Sequence, residues 1–308
     1  MSIFMSDLRH LISILDLDPG EIHQIVDDAI SLKRMRKDGV YLDDLRQKSL
    51  AMIFEKPSTR TRVSFEVAMT ELGGHALYLG WNDLQLGRGE AISDTARVLS
   101  SYVHAIMIRS RSHETILELA RYSKVPVING LSDLEHPCQL LADLTTIREL
   151  KGGFEGLKLG WIGDGNNVCN SAILASALVG MEIVVATPPG YGPDRGIIDR
   201  AIELGGKLTL TDDPEEAANG ADILYTDVWV SMGDEDERDR RMRDFSGYRI
   251  DEKLIELSDD RSIIMHCLPA HRGEEITDGV IEGPRSVVFH QAENRLHAQK
   301  ALLLKLLG

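Results

Sequence analysis

Apolar runs of strand length alternate with longer amphipathic stretches along almost the whole 308-residue chain. This alternation is typical of β-α units, in which helices cover the faces of a parallel sheet. The sequence therefore predicts an α/β fold with two open parallel sheets, one in each half. The predicted strands are 49–54, 76–79, 105–108, 125–128, 157–162, 182–186, 207–211, 222–226, 262–266 and 286–289, and the predicted helices of the first half are 61–72, 93–102 and 114–122.

A helix is expected to join the two sheets. Pro137 is suited to the first turn of a helix, and the helical pattern continues to Leu150, just before the K-G-G segment. We therefore place a first domain at 1–150, including the linker helix, and a second domain at 151–308. The final stretch, 292–307, has helical period and can pack on either domain.

The composition is that of a soluble folded protein with an excess of negative charge. The chain has 49 acidic and 34 basic residues, and this formal charge of −15 disfavours binding to nucleic acid or to anionic membrane surfaces. It has no run of about 18 apolar residues, and its three cysteines form no C-x-x-C pair. We expect a cytoplasmic protein with neither a disulfide framework nor a zinc cluster.

Polar residues follow the first predicted strand, at the sheet edge where open parallel sheets bind ligands. The segment 55–66, E-K-P-S-T-R-T-R-V-S-F-E, leads from this strand into a helix. Backbone N–H groups at a helix start and the Arg60 guanidinium can hold phosphate oxygens, and Ser58, Thr59 and Thr61 add hydroxyl donors. The pattern predicts a phosphate site. The alternative is an ordinary capped helix whose arginines pair with surface carboxylates.

Matching groups elsewhere in the chain favour the phosphate site. Arg109 follows the third predicted strand, and His136 and Gln139 flank the start of the linker helix. Arg295 begins the final helix, where it can add a further guanidinium for an anion.

The second half offers neutral and acidic groups for a small polar ligand. A G-D-G-N-N turn opens a helix after a strand, but it lacks the third glycine and the acidic ribose partner of a dinucleotide fingerprint. The two asparagines of this turn, Asn166 and Asn167, can form neutral hydrogen bonds to a small polar ligand. Asp227, Ser231 and Met232 lie on the loop beyond the strand at 222–226, and Asp227 can bind an ammonium group or simply cap a turn.

Two further features have competing interpretations. Cys267 and the backbone of Leu268 follow the strand at 262–266, at the same rim of the sheet, although a lone cysteine is more often a small core residue. The mixed-charge run 234–243, D-E-D-E-R-D-R-R-M-R, is typical of a solvated helix face, and we assign it no chemistry.

Six motifs occur in the order and approximate spacing of the carbamoyltransferases: S-T-R-T-R, H-P-C-Q, D-G-N-N, D-V-W-V-S-M-G, H-C-L-P and E-N-R. The chain resembles the aspartate/ornithine carbamoyltransferase family over essentially its full length. The D-x-x-x-S-M-G and H-C-L-P motifs are similar to those of its ornithine-using members.

The resemblance implies one set of residues for each substrate. The carbamoyl-phosphate set is Ser58, Thr59, Arg60, Thr61, Gln85, Arg109, His136, Gln139, Cys267, Leu268 and Arg295. The ornithine set is Asn167, Asp227, Ser231 and Met232. In the family, the loop that carries Gln85 reaches into a neighbouring subunit's site, so the resemblance implies a homotrimer, or a multiple of trimers, with shared sites.

The implied reaction is attack of the neutral δ-amine of L-ornithine on the carbamoyl carbon, giving L-citrulline and phosphate in arginine metabolism. The resemblance implies no metal and no organic cofactor. Arg60, Arg109 and His136 would stabilise the charge that grows on the carbonyl oxygen and the departing phosphate. Cys267 and Asp227 are candidates to assist the departure of the amine proton, without a covalent intermediate.

Three alternatives remain open at this point. A nicotinamide dehydrogenase would need the complete glycine fingerprint, which this chain lacks. A carbamoyl-phosphate sensor without catalysis would need only the first set of residues. Putrescine, or another amine similar to ornithine, is the alternative substrate.

Overall fold

The computed structural model describes residues 9–230 and 235–308. The chain divides into two compact units. Unit 1 comprises the residues up to Thr145 together with Asn294–Gly308, and unit 2 comprises Thr146–Glu293. Each unit has its own parallel β-sheet, which confirms the predicted fold class.

Unit 1 is built on a four-stranded parallel sheet. Its elements are α1 (Pro19–Lys37), β1 (Ser49–Phe54), α2 (Thr59–Glu71), β2 (His75–Gly80), α3 (Ile92–Leu99), β3 (Ala105–Arg109), α4 (His113–Tyr122), β4 (Val127–Leu131), the first part of α5 (Pro137–Lys151) and the last part of α12 (Val288–Leu307). The strand order is β2-β1-β3-β4. Strands β1 and β3 are almost entirely buried, as expected for central strands of a parallel sheet.

Unit 2 is built on a five-stranded parallel sheet. Its complete elements are β5 (Lys158–Ile162), α6 (Asn167–Val179), β6 (Glu182–Ala186), α7 (Arg195–Glu203), β7 (Lys207–Thr211), α8 (Pro214–Ala218), β8 (Ile223–Thr226), α9 (Arg238–Asp244), α10 (Glu252–Ile255), β9 (Ile263–His266) and α11 (Asp278–Ile281). The strand order is β7-β6-β5-β8-β9. None of the helices in the described ranges is long and apolar enough to cross a membrane.

The final predicted strand, 286–289, is wrong. Val288 already begins α12, and Ser286 forms only an isolated bridge to Ile264. A short apolar run such as V-V-F does not distinguish a strand from the start of a buried helix. Helix α1 is not among the predicted elements, although Asp18 and Glu21 form a capping box at its start.

Most of the final helix lies in unit 1, whereas the predicted boundary near Lys151 placed all of it in the second domain. Asn294–Gly308 are part of unit 1. Polar contacts anchor this segment there: Asn294 Oδ1 accepts from Lys33 Nζ at 2.8 Å, and Lys300 Nζ lies 3.0 Å from Glu71 Oε2. The boundary between the units in the linker helix falls after Thr145.

Gly160, in the middle of β5, is expected to tolerate no larger residue. A Cβ there would lie 2.3 Å from the carbonyl oxygen of Ala217 in α8, and a backbone atom cannot rotate aside. We expect Gly160→Ala to lower the free energy of unfolding by about 1–3 kcal/mol, measured by urea denaturation. Gly153→Ala is the control, because a Cβ at that position contacts nothing within 4 Å. Equal urea midpoints for the two variants would contradict the expectation.

Candidate functional site

The strand order of unit 1 reverses between β1 and β3, because β1 pairs with β2 on one side and with β3 on the other. At such a reversal the connections leave the sheet in opposite directions, and ligands bind beyond the carboxyl ends of the strands. Phe54 at the end of β1 pairs directly with Arg109 at the end of β3. The S-T-R-T-R segment and Arg109 therefore leave neighbouring strands at this point.

The S-T-R-T-R segment forms the start of α2. Ser58 is the N-cap residue, and its hydroxyl oxygen accepts a hydrogen bond from the Thr61 N–H at 3.3 Å. Thr59 and Arg60 occupy the first turn, where helical N–H groups point outward with the positive end of the helix dipole. Ser58 thus caps the helix, as the alternative interpretation held, and the same turn presents donors suited to an anion.

Arg295 of α12 reaches the same helix start. Its Nη1 donates to Gln139 Oε1 at 2.6 Å, and its Nη2 lies 3.3 Å from Thr61 Oγ1. Gln139 is held in turn by Asp143, whose Oδ1 accepts from Gln139 Nε2 at 2.8 Å. All four side chains are buried. The structure thus brings together three predicted residues from α2, α5 and α12.

His136 is a buried imidazole near three guanidinium groups. Burial shifts the pKa of His136 well below its usual range, and the positive charges of Arg295, Arg109 and Arg60 lower it further. The imidazole is therefore neutral near pH 7, where it can donate a hydrogen bond without adding charge. The arginines that act on it create a strongly positive region at the start of α2.

Gln85 is separate from this cluster. It is exposed on a short 3-10 helix, Gln85–Arg88, that follows β2. Within the described ranges, its side chain makes no hydrogen bond to the residues around His136.

The strand order of unit 2 reverses between β5 and β8. The D-G-N-N turn follows β5 and Asp227 follows β8, so both occupy the position where a ligand is expected. Asn166 Nδ2 donates to Asp227 Oδ2 at 2.8 Å, and Asn166 Oδ1 caps α6. Asn167 is the first residue of α6. Both asparagines of this turn are among the predicted hydrogen-bonding groups, but the predicted ornithine set includes only Asn167.

Cys267 lies against the other oxygen of Asp227. Its Sγ donates to Asp227 Oδ1 at 3.0 Å, and the side chain is partly exposed. Cys138 and Cys169 are, by contrast, fully buried, and burial raises the pKa of the Cys138 thiol to about 12. Cys267 is therefore the cysteine that is both accessible and paired with a carboxylate, which disagrees with its interpretation as a core residue.

A fully buried pair holds the turn that carries Cys267 and Leu268. His266 Nε2 lies 3.0 Å from Glu275 Oε1, and both side chains have 0% exposure. The Leu268 N–H donates to His266 Nδ1 at 2.9 Å, which leaves the Nε2 proton directed at Glu275. Leu268 itself has a left-handed backbone with φ of 57°. Sequence reasoning missed this pair because the spacing between His266 and Glu275 matches no regular element.

The mixed-charge run 234–243 is not wholly a solvated face. Arg241 Nη1 donates to Asp164 Oδ2 at 2.9 Å and to the Trp229 carbonyl at 3.0 Å, and the Arg241 side chain is only 12% exposed. Its guanidinium carbon also lies 5.1 Å from the centre of the Tyr191 ring. Arg241 thus ties the D-G-N-N turn to the segment after β8. The predicted residues Ser231 and Met232 lie outside the described residues.

Two groups of side chains in the described ranges have the composition of metal ligands: Asp227, His266 and Cys267, and His271, Glu274 and Glu275. In the first group, both ring nitrogens of His266 are engaged in hydrogen bonds, and Cys267 donates to Asp227. In the second group, Glu275 Oε1 is engaged by His266 and by the His271 N–H. The first group is thus held together by its own hydrogen bonds, whereas His271 Nδ1, Glu274 Oε2 and Glu275 Oε2 of the second group are buried without a hydrogen-bond partner among the described residues.

A cluster of arginines at a helix start and a carboxylate paired with a thiol, each at a strand reversal, are features of a transferase that binds a phosphorylated donor and a polar acceptor. Comparison with protein families assigns one binding domain to each half of the chain. The family description "Aspartate/ornithine carbamoyltransferase, carbamoyl-P binding domain" matches residues 9–149, and its "Asp/Orn binding domain" matches 155–306. The chain belongs to the aspartate/ornithine carbamoyltransferase family.

Individual relatives agree with this assignment. The ornithine carbamoyltransferase of Archaeoglobus fulgidus is 62% identical over 98% of this chain and 98% of its own length. That of Methanosarcina mazei is 59% identical over 97% of this chain and 99% of its own length. The solved structure of ornithine carbamoyltransferase from Pyrococcus furiosus has a TM-score of 0.94 and 53% identity, covering 97% of each chain.

Arg241 is expected to stabilise unit 2 through its contact with Asp164. Arg241→Met removes the guanidinium from a pair whose side chains are 12% and 10% exposed, so the free energy of unfolding should fall by about 3 kcal/mol. Arg243→Met is the matched control, because Arg243 lies exposed on the same helix and should change stability little. Urea denaturation of both variants tests this, and equal midpoints would contradict the stabilising role.

Proposed function

We propose that this chain is an ornithine carbamoyltransferase. It transfers the carbamoyl group of carbamoyl phosphate to the δ-amine of L-ornithine and releases L-citrulline and phosphate. The observation that carries this proposal is the Asp227 carboxylate, held between the Asn166 amide and the Cys267 thiol. A fixed carboxylate suits an acceptor that carries amino groups, whereas an acidic acceptor such as aspartate would be repelled. Relatives named ornithine carbamoyltransferase, up to 62% identical, support the same acceptor.

Carbamoyl phosphate is assigned to the cluster at the start of α2. The N–H groups of the first turn and the hydroxyls of Ser58, Thr59 and Thr61 bind the phosphate oxygens. Arg60, Arg109 and Arg295 neutralise its charge, and a guanidinium can do so through two parallel hydrogen bonds. Gln139 keeps the Arg295 guanidinium oriented for this task.

Neutral His136 is assigned to the carbonyl oxygen of the carbamoyl group. Negative charge grows on this oxygen as the amine attacks, and a preorganised donor stabilises that charge more than it stabilises the ground state. Because burial and the neighbouring arginines keep the imidazole neutral, its N–H strengthens this interaction without a proton transfer. Cys267, Leu268 and Gln85 complete the carbamoyl-phosphate set as predictions from the family motifs.

L-ornithine is assigned to the polar groups of unit 2. Asp227 and Asn167 recognise the α-ammonium and the α-carboxylate, and Asn166 keeps the Asp227 carboxylate in place. Ser231 and Met232 belong to the same set as predictions, since they lie outside the described residues.

The chemical step needs the unprotonated δ-amine, although an alkylammonium has a pKa of about 10.4. The amine nitrogen forms a bond to the carbamoyl carbon as the bond to the phosphate oxygen breaks, and one amine proton must leave. Cys267 Sγ is proposed to accept that proton while its own thiol proton passes to Asp227 Oδ1, 3.0 Å away. The step needs no covalent intermediate with the enzyme.

We also propose that the enzyme works in arginine biosynthesis in the cytoplasm, as a homotrimer or a multiple of trimers. The family motifs support this assembly, and Gln85 is exposed, as a residue that serves a neighbouring subunit must be. The formal charge of −15 argues against nucleic acid as a partner.

The acceptor assignment is tested with a panel of amines. Purified protein is incubated with carbamoyl phosphate and L-ornithine, L-lysine or putrescine, and the ureido product is measured. Putrescine lacks the α-carboxylate and leaves a polar site unpaired, so its kcat/KM should be at least about 100-fold below that of ornithine. Equal values would overturn the ornithine assignment and leave a carbamoyltransferase of another amine.

Arg60 is expected to contribute to both binding and turnover. Arg60→Ala should lower kcat/KM for carbamoyl phosphate by roughly 100-fold or more, the loss typical of a missing transition-state donor. Arg60→Lys should recover only part, because an ammonium group cannot form two parallel bonds. Arg46→Ala is the control, since Arg46 is 75% exposed and lies 3.9 Å from Asp43 in a weak surface pair. Near-normal rates for Arg60→Ala would show that the S-T-R-T-R segment is only the capped start of α2 and does not bind the phosphate.

A further inference from the structure

Glu55 joins the ends of the two central strands of unit 1. It is the first residue after β1, and its N–H donates to the Arg109 carbonyl at 2.9 Å. Its Oε2 accepts from the Ser110 hydroxyl at 2.7 Å and from the Arg111 N–H at 2.8 Å. Both the backbone and the side chain of Glu55 therefore bind the turn that carries Arg109.

Arg109 lies where the regular pairing of β3 with β4 ends. Ile108 pairs with Asn129 but Arg109 pairs with Leu131, so Gly130 is an extra residue that forms a β-bulge. A bulge redirects the side chains beside it and interrupts the ladder that would otherwise hold the strand. Beyond the bulge the Ser110 N–H donates to the Leu131 carbonyl at 3.0 Å, and on the opposite side of β3 the contacts of Glu55 add a second restraint on the same turn.

The location of a carboxylate here also needs an explanation. Glu55 stands only a few residues before the helix start that is assigned to phosphate, where a negative charge by itself would weaken anion binding. Its Oε2 is directed at Ser110 and at the Arg111 N–H, and its Oε1 lies 3.7 Å from Arg111 Nε. The negative charge of the Glu55 carboxylate thus interacts with groups of the turn after β3.

We propose that Glu55 is a positioning residue, which holds the turn after β3 so that the Arg109 guanidinium stays oriented toward the phosphate of carbamoyl phosphate. This inference rests on the proposed function. In this role Glu55 does not contact the substrate. Ser110, whose hydroxyl donates to Glu55 Oε2, helps to hold the same turn.

The direction in which phosphate affinity changes when the Glu55 charge is removed distinguishes a positioning role from a purely electrostatic one. Removing a negative charge near an anion site should tighten phosphate binding if Glu55 acts only through its charge. If Glu55 positions Arg109, the same substitution should weaken phosphate binding, because a small displacement of an oriented group is costly. Glu55→Gln is suited to the test, since it removes the charge with little change of shape.

The experiment measures inorganic phosphate binding by calorimetry and steady-state citrulline formation for Glu55→Gln, Glu55→Ala and Ser110→Ala. We expect phosphate affinity and 1/KM for carbamoyl phosphate to fall by about 10-fold in Glu55→Ala and less in Glu55→Gln, with KM for ornithine unchanged. The double variant Glu55→Ala/Ser110→Ala is measured as well, and its loss should be close to that of Glu55→Ala alone, because the two side chains hold the turn through one shared hydrogen bond. Glu66→Gln is the control, as this carboxylate makes a partly exposed pair with Arg62.

Each outcome has a distinct meaning. Unchanged or tighter phosphate binding in Glu55→Gln would overturn the positioning role, even if stability falls. If Glu55→Ala does not fold, the phosphate affinity of Glu55→Gln decides alone. Wild-type protein that neither binds phosphate nor forms citrulline would instead contradict the proposed function, so the two failures are distinguishable.

Discussion

The chemistry of each unit depends on one backbone constraint, the reversal of strand order at the centre of its sheet. In unit 1 the reversal places the start of α2 next to Arg109, and in unit 2 it places the D-G-N-N turn next to Asp227. A central strand of a parallel sheet can deliver polar residues only at its ends, because its interior is buried on both faces, and ligands bind beyond the carboxyl ends. The polar groups of the site are therefore confined to a few positions directly after strands.

Much of the fold was predictable because strand-length apolar runs and helix starts have local signals. The bounds of β1, β6 and β7 agree with the prediction at every residue. The failure at 286–289 shows the limit of such signals, since the buried Val288 begins α12 and the segment does not extend the sheet as a strand. The location of Asn294–Gly308 in unit 1 depends on contacts with Lys33 and Glu71, which are distant in the sequence.

The candidate site was predictable where a residue directly follows a strand or matches a family motif, as Arg60, Arg109 and Asp227 do. Residues that act by holding others have no such signal. Glu275 pairs with His266 across a turn, and Arg241 reaches Asp164 from a run of charges in which residues 236–240 are exposed. Their importance becomes visible only when burial and partners are known, because charge patterning alone favours a solvated helix face.

Local charge matters more for binding than the net charge of the chain. A protein with a formal charge of −15 would repel an anion if its charge were spread evenly. Arg60, Arg109 and Arg295 instead act together on one buried imidazole in unit 1, whereas a carboxylate occupies the corresponding strand end in unit 2. A buried neutral histidine keeps the positive region from gaining another charge. The two units are thus adapted to ligands of opposite charge, as transfer from a phosphorylated donor to an amine requires.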